Sequence, residues 1–165
     1  MAVLPIRLYP DPVLRQCSEA VAWRDSSVPK FLRHLTETLY AQPEGIGIAA
    51  PQVGEAKQII IIDVSSKDSS KHRLVMMNPK ICQREGTVLT REGCMSLPDY
   101  TANVNRAARV VVEWIDTEGG RHVKTCTGIE AICIQHEVDH LNGLLFIDRV
   151  GSVKSDVVVR RGRER

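Results

Sequence analysis

Apolar residues recur at helical spacing in the N-terminal part of the chain. The four side chains that define this pattern are Phe31, Leu32, Leu35 and Leu39. Because they repeat every three or four positions, they lie on one face of a helix. Pro29 suits the first turn, where its missing N–H is no loss, and Ser27 is a candidate cap. The pattern predicts a first helix over residues 28–42.

A second helix is predicted towards the C-terminal end. Thr127 can cap it, and Glu130 stands three residues later, as in a reciprocal capping box. Gly143 can adopt the left-handed conformation that commonly ends a helix. These signals predict a helix over residues 128–142. Its apolar stripe consists of Ile129, Ile132 and Cys133.

Short runs of β-branched and apolar residues lie between the two helices. The runs cover residues 59–64, 74–77, 87–89, 110–115 and 122–125. They predict several short strands, largely antiparallel. Gly119 and Gly120 suit a tight hairpin turn, and residues 65–70 have the composition of a surface turn. We predict an α+β fold, with mainly antiparallel strands packed around the central helix at 128–142 and a second helix near the N-terminus.

Length and composition limit the function classes. The 165 residues suit one domain, 43% of them hydrophobic and 25% charged. The longest apolar run, residues 59–62, is too short to span a bilayer, and residues 1–10 lack a secretory signal. The net charge of +2 predicts no general affinity for nucleic acid. We expect no membrane association and a location in the cytoplasm, or in an organelle of bacterial origin.

The cysteines do not form a disulfide pattern. They are Cys17, Cys82, Cys94, Cys126 and Cys133. Their number is odd and none forms a CxxC pair, which indicates reduced thiols. For four of them the ordinary interpretation is a small apolar side chain. Cys94 differs, because it follows Gly93 in a segment, residues 92–98, that we predict to be a loop.

The central helix contains an HExxH pattern. A spacing of four places His136 and His140 on one helix face, one turn apart, where both can bind one metal ion. The alternative is that these are ordinary packed or surface histidines. A hydrolytic metal site usually has three protein ligands, so a third is needed. Metzincin-type zinc proteases have a third histidine six residues after the second, but that position here is Phe146. Thermolysin-type proteases use a downstream glutamate, and the only one here, Glu164, lies in a basic tail. Cys94 is therefore the best candidate for the third ligand.

Three segments together resemble the peptide deformylase family. They are Gly-Ile-Gly-Ile-Ala-Ala-Pro-Gln at 45–52, Glu-Gly-Cys-Met-Ser at 92–96 and Gln-His-Glu-Val-Asp-His-Leu at 135–141. The resemblance covers residues 4–150 in order and spacing, although Met95 stands where leucine is commoner. It implies that residues 1–150 are the catalytic domain. Residues 151–165 are then a short basic tail, since four of the last six residues are arginine. A solvated terminus is expected for these last six residues.

The resemblance also implies roles for individual residues. The implied metal ligands are Cys94, His136 and His140. The implied general acid and base is Glu137. The implied oxyanion donors are the Gln52 amide and the Met95 N–H, and Gly47 is included in the catalytic set. The implied substrate-binding residues are Gly45, Ile46, Ile48, Glu92, Gly93, Ile129, Ile132 and Cys133. For Ile129, ordinary helix packing is an equally good interpretation.

The activity implied is metal-dependent hydrolysis of the N-formyl group of formylmethionine on newly made polypeptides, with release of formate. Fe²⁺ is the implied cofactor, and Zn²⁺ or Ni²⁺ can occupy a purified sample. The expected partners are nascent formyl-Met polypeptides, with a transient ribosome contact; the oligomeric state is left open. Glu92 and Asp139 are candidates to orient a histidine, with Arg106 as a partner of Glu92.

Two other function classes compete. A thiol amidase would use Cys94 as nucleophile and a histidine as base, and a chelator would leave its activity intact. A non-catalytic module would bind metal or peptide without turnover, because enzyme folds can persist as interaction domains. The intact set of catalytic residue types disfavours the second class.

Overall fold

The structure, a computed structural model, describes residues 2–65 and 73–160. Most of the turn predicted at 65–70 lies outside these ranges, as do the last five residues of the basic tail. In the described ranges no helix is long and apolar enough to cross a membrane. The architecture is α+β, as the sequence predicts.

Eight strands form two antiparallel sheets in the described chain. The strands are β1 (Gly47–Ala49), β2 (Ile59–Ile62), β3 (Leu74–Glu85), β4 (Val88–Cys94), β5 (Leu97–Arg106), β6 (Arg109–Ile115), β7 (Arg121–Thr127) and β8 (Val157–Val159). One sheet has the order β1-β2-β3-β6-β7 and the other the order β4-β5-β8. Each neighbouring pair of strands is antiparallel.

The helices lie against these sheets. They are α1 (Val28–Ala41), α2 (Gly128–Leu141) and the short α3 (Val153–Asp156), with 3-10 turns at Pro12–Arg15, Ala50–Val53 and Phe146–Arg149. The five-stranded sheet is covered on both faces, so the four isoleucines of β2 are all buried. Ile60 and Ile62 face the cluster that contains α2, whereas Ile59 and Ile61 face the cluster that contains α1. A third cluster, with Leu97, packs the smaller sheet near the end of α2.

Both main helices were predicted within one residue at each end. The 118–120 hairpin is also confirmed, with Gly119 at φ +87° between β6 and β7. Gly143 has φ +70°, and a Cβ there would lie 2.5 Å from the backbone oxygen of Arg15. Glycine is therefore required at this helix end by both conformation and space.

Ser27 and Thr127 occupy the predicted N-cap positions of α1 and α2, but neither side chain makes a capping hydrogen bond. The Ser27 hydroxyl donates to Asp25 instead of capping α1. Thr127 makes no side-chain cap, and Glu130 accepts from Lys124 at 2.6 Å instead of completing a capping box. Strand β7 runs directly into α2, and Thr127 pairs with Arg109 in the sheet.

The sequence pattern missed three strands and one boundary. β1 and β8 are only three residues long, and β5 lies where no apolar run was evident. The 92–98 loop is instead the end of β4, a two-residue turn and the start of β5. The chain also remains folded past residue 150, because β8 pairs with β5, so 151 is not the start of a free tail.

Candidate metal centre

Helix α2 carries two imidazoles and one carboxylate to the same place. His136 and His140 lie one turn apart, with ring centroids separated by 5.0 Å. His140 is 1% exposed and Glu137 is 4% exposed, so the site is inside the protein. The apolar neighbours of α2 hold this face against the five-stranded sheet.

The end of β4 delivers the third candidate ligand. The pairing of β4 with β5 shifts register between Gly93 and Cys94, just before the Met95–Ser96 turn. The Cys94 Sγ lies 3.3 Å from His140 Nε2. One ligand atom from each of Cys94, His136 and His140 lies within 4.8 Å of the others. The structure thus brings together the three residues that the sequence proposed as ligands.

The electrostatics of this group favour the thiolate. Burial by itself would raise the pKa of Cys94, but the two imidazoles beside the sulfur outweigh it and hold the pKa well below its usual value. Burial opposes a charge on His136 as well, yet hydrogen bonds to Cys94 and Glu92 raise its pKa well above normal. A thiolate is the form that binds a metal ion, and binding would release the imidazole proton.

A buried ionic network lies behind His136. The His136 Nδ1–H donates to Glu92 Oε2 at 2.8 Å, which leaves Nε2 for a ligand. Arg106 donates to both Glu92 oxygens at 2.7 and 2.9 Å, and to Asp139 at 2.6 Å. Arg149 binds the same Asp139 from the surface side. The network sets the orientation of one imidazole and fixes β4 and β5 to α2.

Within this network Glu92 has the position expected of a residue that orients a histidine and pairs with Arg106. Its carboxylate is 6% exposed and faces Arg106 and His136, so it does not line a groove. Although burial raises the pKa of Glu92, hydrogen bonds from Arg106 and His136 lower it to about 2. The carboxylate therefore stays charged behind the site.

Gln52 approaches the sulfur from the opposite side. Its Oε1 accepts from the Ala49 N–H at 2.9 Å. This contact turns Nε2 towards Cys94 Sγ and the Ser96 hydroxyl, both at 3.4 Å. The amide is 1% exposed, so it is a preoriented donor in a dry environment.

Glu137 is the acid–base candidate of the site. Its pKa is raised, chiefly by burial, while the two neighbouring imidazoles act in the opposite direction. Oε2 is buried and has no hydrogen-bond partner among the described residues, and the same holds for His140 Nδ1. Two unpaired buried polar atoms beside a thiolate fit a site that takes a metal ion and water.

The segment 45–48 forms one wall beside this centre. A Cβ at Gly47 would lie 2.6 Å from Cys133 Sγ and 2.7 Å from Glu137 Oε1, so only glycine permits this approach of β1 to α2. Ile46 is 38% exposed and its carbonyl accepts from the Cys133 thiol. The Ile48 side chain is fully buried in the α1 cluster, so only its backbone can face a ligand.

The remaining predicted residues differ in exposure. Gly45 begins the wall segment and is partly buried, and Gly93 is exposed on β4. Ile132 is partly buried, and Cys133 is buried with a pKa raised by burial. Ile129 is 53% exposed in the first turn of α2, so it is not an ordinary core residue.

Sequence reasoning missed two contributors to the site. The Ser96 hydroxyl accepts a hydrogen bond from the Gln52 amide. Ser96 lies close to Gln52 because of the two-residue turn between β4 and β5, which the sequence did not reveal. Arg149 supports Asp139 from the 3-10 turn after α2. An arginine ten residues beyond an aspartate gives no local signal, because the contact depends on how the chain turns at Gly143.

Comparisons with known proteins show what the chain is similar to. Residues 3–156 match the family described as Polypeptide deformylase. A peptide deformylase of Rhizobium meliloti is 43% identical over 162 residues, which is 98% of this chain and 92% of the relative. A crystal structure of a peptide deformylase from Legionella pneumophila has a TM-score of 0.87 at 35% identity, covering 93% of this chain and 89% of that one. A Met-Ala-Ser-bound peptide deformylase of Acinetobacter baumannii has a TM-score of 0.84 at 31% identity, with 90% and 99% covered.

Proposed function

The chain belongs to the polypeptide deformylase family, and from that membership we propose that it hydrolyses the N-formyl group of formylmethionine on new polypeptides and releases formate. One observation carries the proposal. A thiolate-favouring cysteine and two imidazoles converge within 4.8 Å beside a buried carboxylate and a preoriented amide. This combination suits metal-assisted attack of water on an amide.

Cys94, His136 and His140 would hold the metal ion. When bound, the ion would supply Lewis acidity, lowering the pKa of the attacking water and polarising the formyl oxygen. A donor set of one thiolate and two imidazoles suits Fe²⁺, Ni²⁺ or Zn²⁺, and family membership favours Fe²⁺ as the native ion. Elemental analysis of protein purified without oxygen identifies it.

Glu137 moves the proton. Its raised pKa and unpaired Oε2 suit a base that takes a proton from the attacking water and then gives it to the departing amine. The position between His136 and His140 on α2 keeps the carboxylate beside both ligands. Gly47 leaves the space for this carboxylate, since a side chain there would occupy it.

Gln52 and Met95 would stabilise the oxyanion. The Gln52 Nε2 already donates towards Cys94, so it faces the position where charge develops on the formyl oxygen. The Met95 N–H follows Cys94 directly in the chain and is a backbone donor that does not depend on the methionine side chain. This is why methionine can replace the commoner leucine.

The substrate would bind along β1. This strand is at the edge of its sheet in the described chain, and an extended peptide can pair with such an edge. The methionine side chain would enter the apolar surface near Ile46, Ile132 and Cys133, with Ile129 at the rim. The Acinetobacter baumannii relative bound to Met-Ala-Ser supports a peptide of this kind as the ligand.

Formate release from formyl-Met-Ala-Ser tests the proposal. We expect turnover by the metal-loaded protein, loss of activity with a chelator, and a fall of about 10²–10⁴ in kcat in Glu137→Gln. The matched control is Glu130→Gln, which removes a carboxylate of α2 that pairs with Lys124 at the surface.

The outcomes separate the competing mechanisms. Activity that survives complete metal removal would favour a thiol amidase acting through Cys94. Peptide binding without formate release would indicate a non-catalytic module. Equal turnover in Glu137→Gln and Glu130→Gln would contradict the proposed acid–base role.

A further inference from the structure

Arg160 lies beside the metal-binding end of β4. It follows β8, and its N–H donates to the Asp99 carbonyl at 2.8 Å. Its side chain crosses the sheet, so that Nη2 lies 2.5 Å from the point where a Cβ on Gly93 would sit. Gly93 directly precedes Cys94. The missing side chain of Gly93 therefore admits a guanidinium next to the candidate metal ligand.

The same guanidinium reaches the segment that leads into β1. Arg160 Nη1 lies 3.8 Å from Glu44 Oε2, and Glu44 immediately precedes the 45–48 segment. The two side chains are 43% and 67% exposed. An exposed pair at this separation is worth little, so a ligand carboxylate can replace Glu44 at small cost.

A second arginine lies close to this position. Arg91 on β4 donates from Nε and Nη2 to the Thr101 hydroxyl at 3.2 and 3.0 Å. The methyl group of the same Thr101 lies 3.5 Å from the Cβ position of Gly93. Two cationic groups thus lie near one threonine, and the Glu44 carboxylate lies beside one of them.

We propose that Arg160 is a specificity-determining residue that favours substrates with an acidic side chain at the second or third position and disfavours basic ones there. This inference rests on the proposed function, which puts the formyl group at Cys94. An extended peptide advances about 3.3 Å per residue, so the two residues after methionine pass the rim that Gly93 and Glu44 define. A guanidinium there can donate two hydrogen bonds to a carboxylate and repels lysine or arginine.

Matched peptides test the inference. Formyl-Met-Asp-Ala, formyl-Met-Asn-Ala and formyl-Met-Lys-Ala differ only in the second side chain, whose charge is −1, 0 or +1. A second series, with that residue moved to the third position and Ala at the second, tests the third position. For the full chain we expect kcat/KM to be about 5-fold higher for the Asp peptide than for the Lys peptide at one of the two positions. An effect of this size is typical of an exposed charge pair. Raising the salt to 0.5 M should reduce the ratio.

The variants assign the effect to one side chain. Arg160→Gln should bring the Asp-to-Lys ratio close to one, by slowing the Asp peptide and accelerating the Lys peptide. Arg160→Lys should retain part of the preference, since it keeps the charge but loses the planar fork. The control is Arg84→Gln. Arg84 is an exposed residue of β3, in the five-stranded sheet, where it lies opposite Val110 of β6. This variant should keep the wild-type Asp-to-Lys ratio.

A binding measurement separates this inference from the proposed function. Calorimetry measures the affinity for the product peptides Met-Asp-Ala and Met-Lys-Ala and for their third-position counterparts. The wild type should bind the Asp peptide more tightly than the Lys peptide, and Arg160→Gln should lose this preference. A wild type that binds these peptides with this preference but releases no formate would contradict the proposed function and support the inference. Equal ratios in wild type and Arg160→Gln, or an equal decline for all peptides in that variant, would overturn it.

Discussion

At the scale of single residues, the hydrogen bonds around His136 and Gln52 explain how one atom of each side chain faces the metal centre. The Glu92 carboxylate holds His136 Nδ1–H, and the Ala49 N–H holds Gln52 Oε1. These contacts leave His136 Nε2 and Gln52 Nε2 directed at Cys94 or its neighbours. Orientation by a hydrogen bond on the far side is a general property of metal-ligating histidines.

Glu92→Gln tests the orientation of His136. The variant keeps an acceptor for Nδ1–H but removes the charge that Arg106 neutralises, so the imidazole becomes a weaker and less constrained ligand. We expect the affinity for Zn²⁺, measured by competition with a chelator, to fall about 10-fold or more. Glu113→Gln, at an exposed pair with Lys80, is the control. An unchanged affinity in Glu92→Gln would show that the hydrogen bond is only structural.

Gln52→Leu tests the amide as an oxyanion donor. Leucine is close in volume but has no N–H to meet the developing charge. We expect kcat to fall about 10²–10³-fold, with metal content retained. The variant also leaves the buried Ala49 N–H without its partner, which costs about 1–3 kcal/mol of stability. Thermal unfolding checks that cost, and a kcat near wild type would remove Gln52 from the mechanism.

At the scale of elements, the close approach of β1 to α2 decides the depth of the site. Gly47 lies against Cys133 and Glu137, and an added methyl group would overlap both. Because β1 is only three residues long and pairs with β2 on one side, it cannot shift without breaking that pairing. Packing, rather than a special backbone angle, requires the glycine here.

Gly47→Ala should therefore move the helix face and the acid–base group together. We expect a loss of about 1–3 kcal/mol in the free energy of unfolding, measured with urea, and a lower kcat because Glu137 is displaced. Gly151→Ala is the control, since its Cβ would meet only Asp156 Oδ2, at 3.5 Å. Equal stability of the two variants would contradict the packing argument.

At the scale of the whole molecule, Arg106 connects the smaller sheet to the central helix. It extends from β5, binds Glu92 of β4 and Asp139 of α2, and is buried with both partners. Opposing the effect of burial, these carboxylates raise the pKa of Arg106 further, so it stays charged. The smaller sheet thereby keeps Cys94 at the end of α2.

Arg106→Met tests this connection. Removing Arg106 leaves buried Glu92 without its arginine and Asp139 with only the partly exposed Arg149, and we expect a loss of about 3–5 kcal/mol of stability. Arg109→Met is the control, because its pair with Glu85 is exposed and its loss should cost about 1 kcal/mol or less. Similar unfolding midpoints for the two variants would show that the buried network is not important for stability.

Acid should weaken the same connection. The folded-state pKa of Glu92 is lowered from 4.5 to about 2, so the unfolded chain binds a proton that the folded chain does not. This stabilisation, about 3 kcal/mol, is complete above pH 4.5 and is lost as the pH falls towards 2. The stability difference between wild type and Glu92→Gln, measured between pH 6 and 2, should shrink over that window. A constant difference would contradict the lowered pKa.

Local patterns predict the parts of this protein that depend on neighbours in the chain. The apolar spacing of α1, the four-residue step from His136 to His140 and the left-handed Gly143 are all set by the period and the ends of a helix. The three family segments contain every candidate ligand and Glu137. Strand pairing, in contrast, was predicted least well, because β1 and β8 are too short to produce a pattern and β5 shows no apolar run.

Contacts between distant residues follow only from the folded chain. Cys94 meets His140 across 46 positions because β4 shifts register before its turn. Glu92 and Ile48 belong to segments that suggest a groove, yet strand alternation turns both side chains away from it. Arg160 reaches Gly93 because β8 pairs with β5. A helix repeats every 3.6 residues whatever surrounds it, whereas the face that a strand residue presents depends on a register that distant parts of the chain decide.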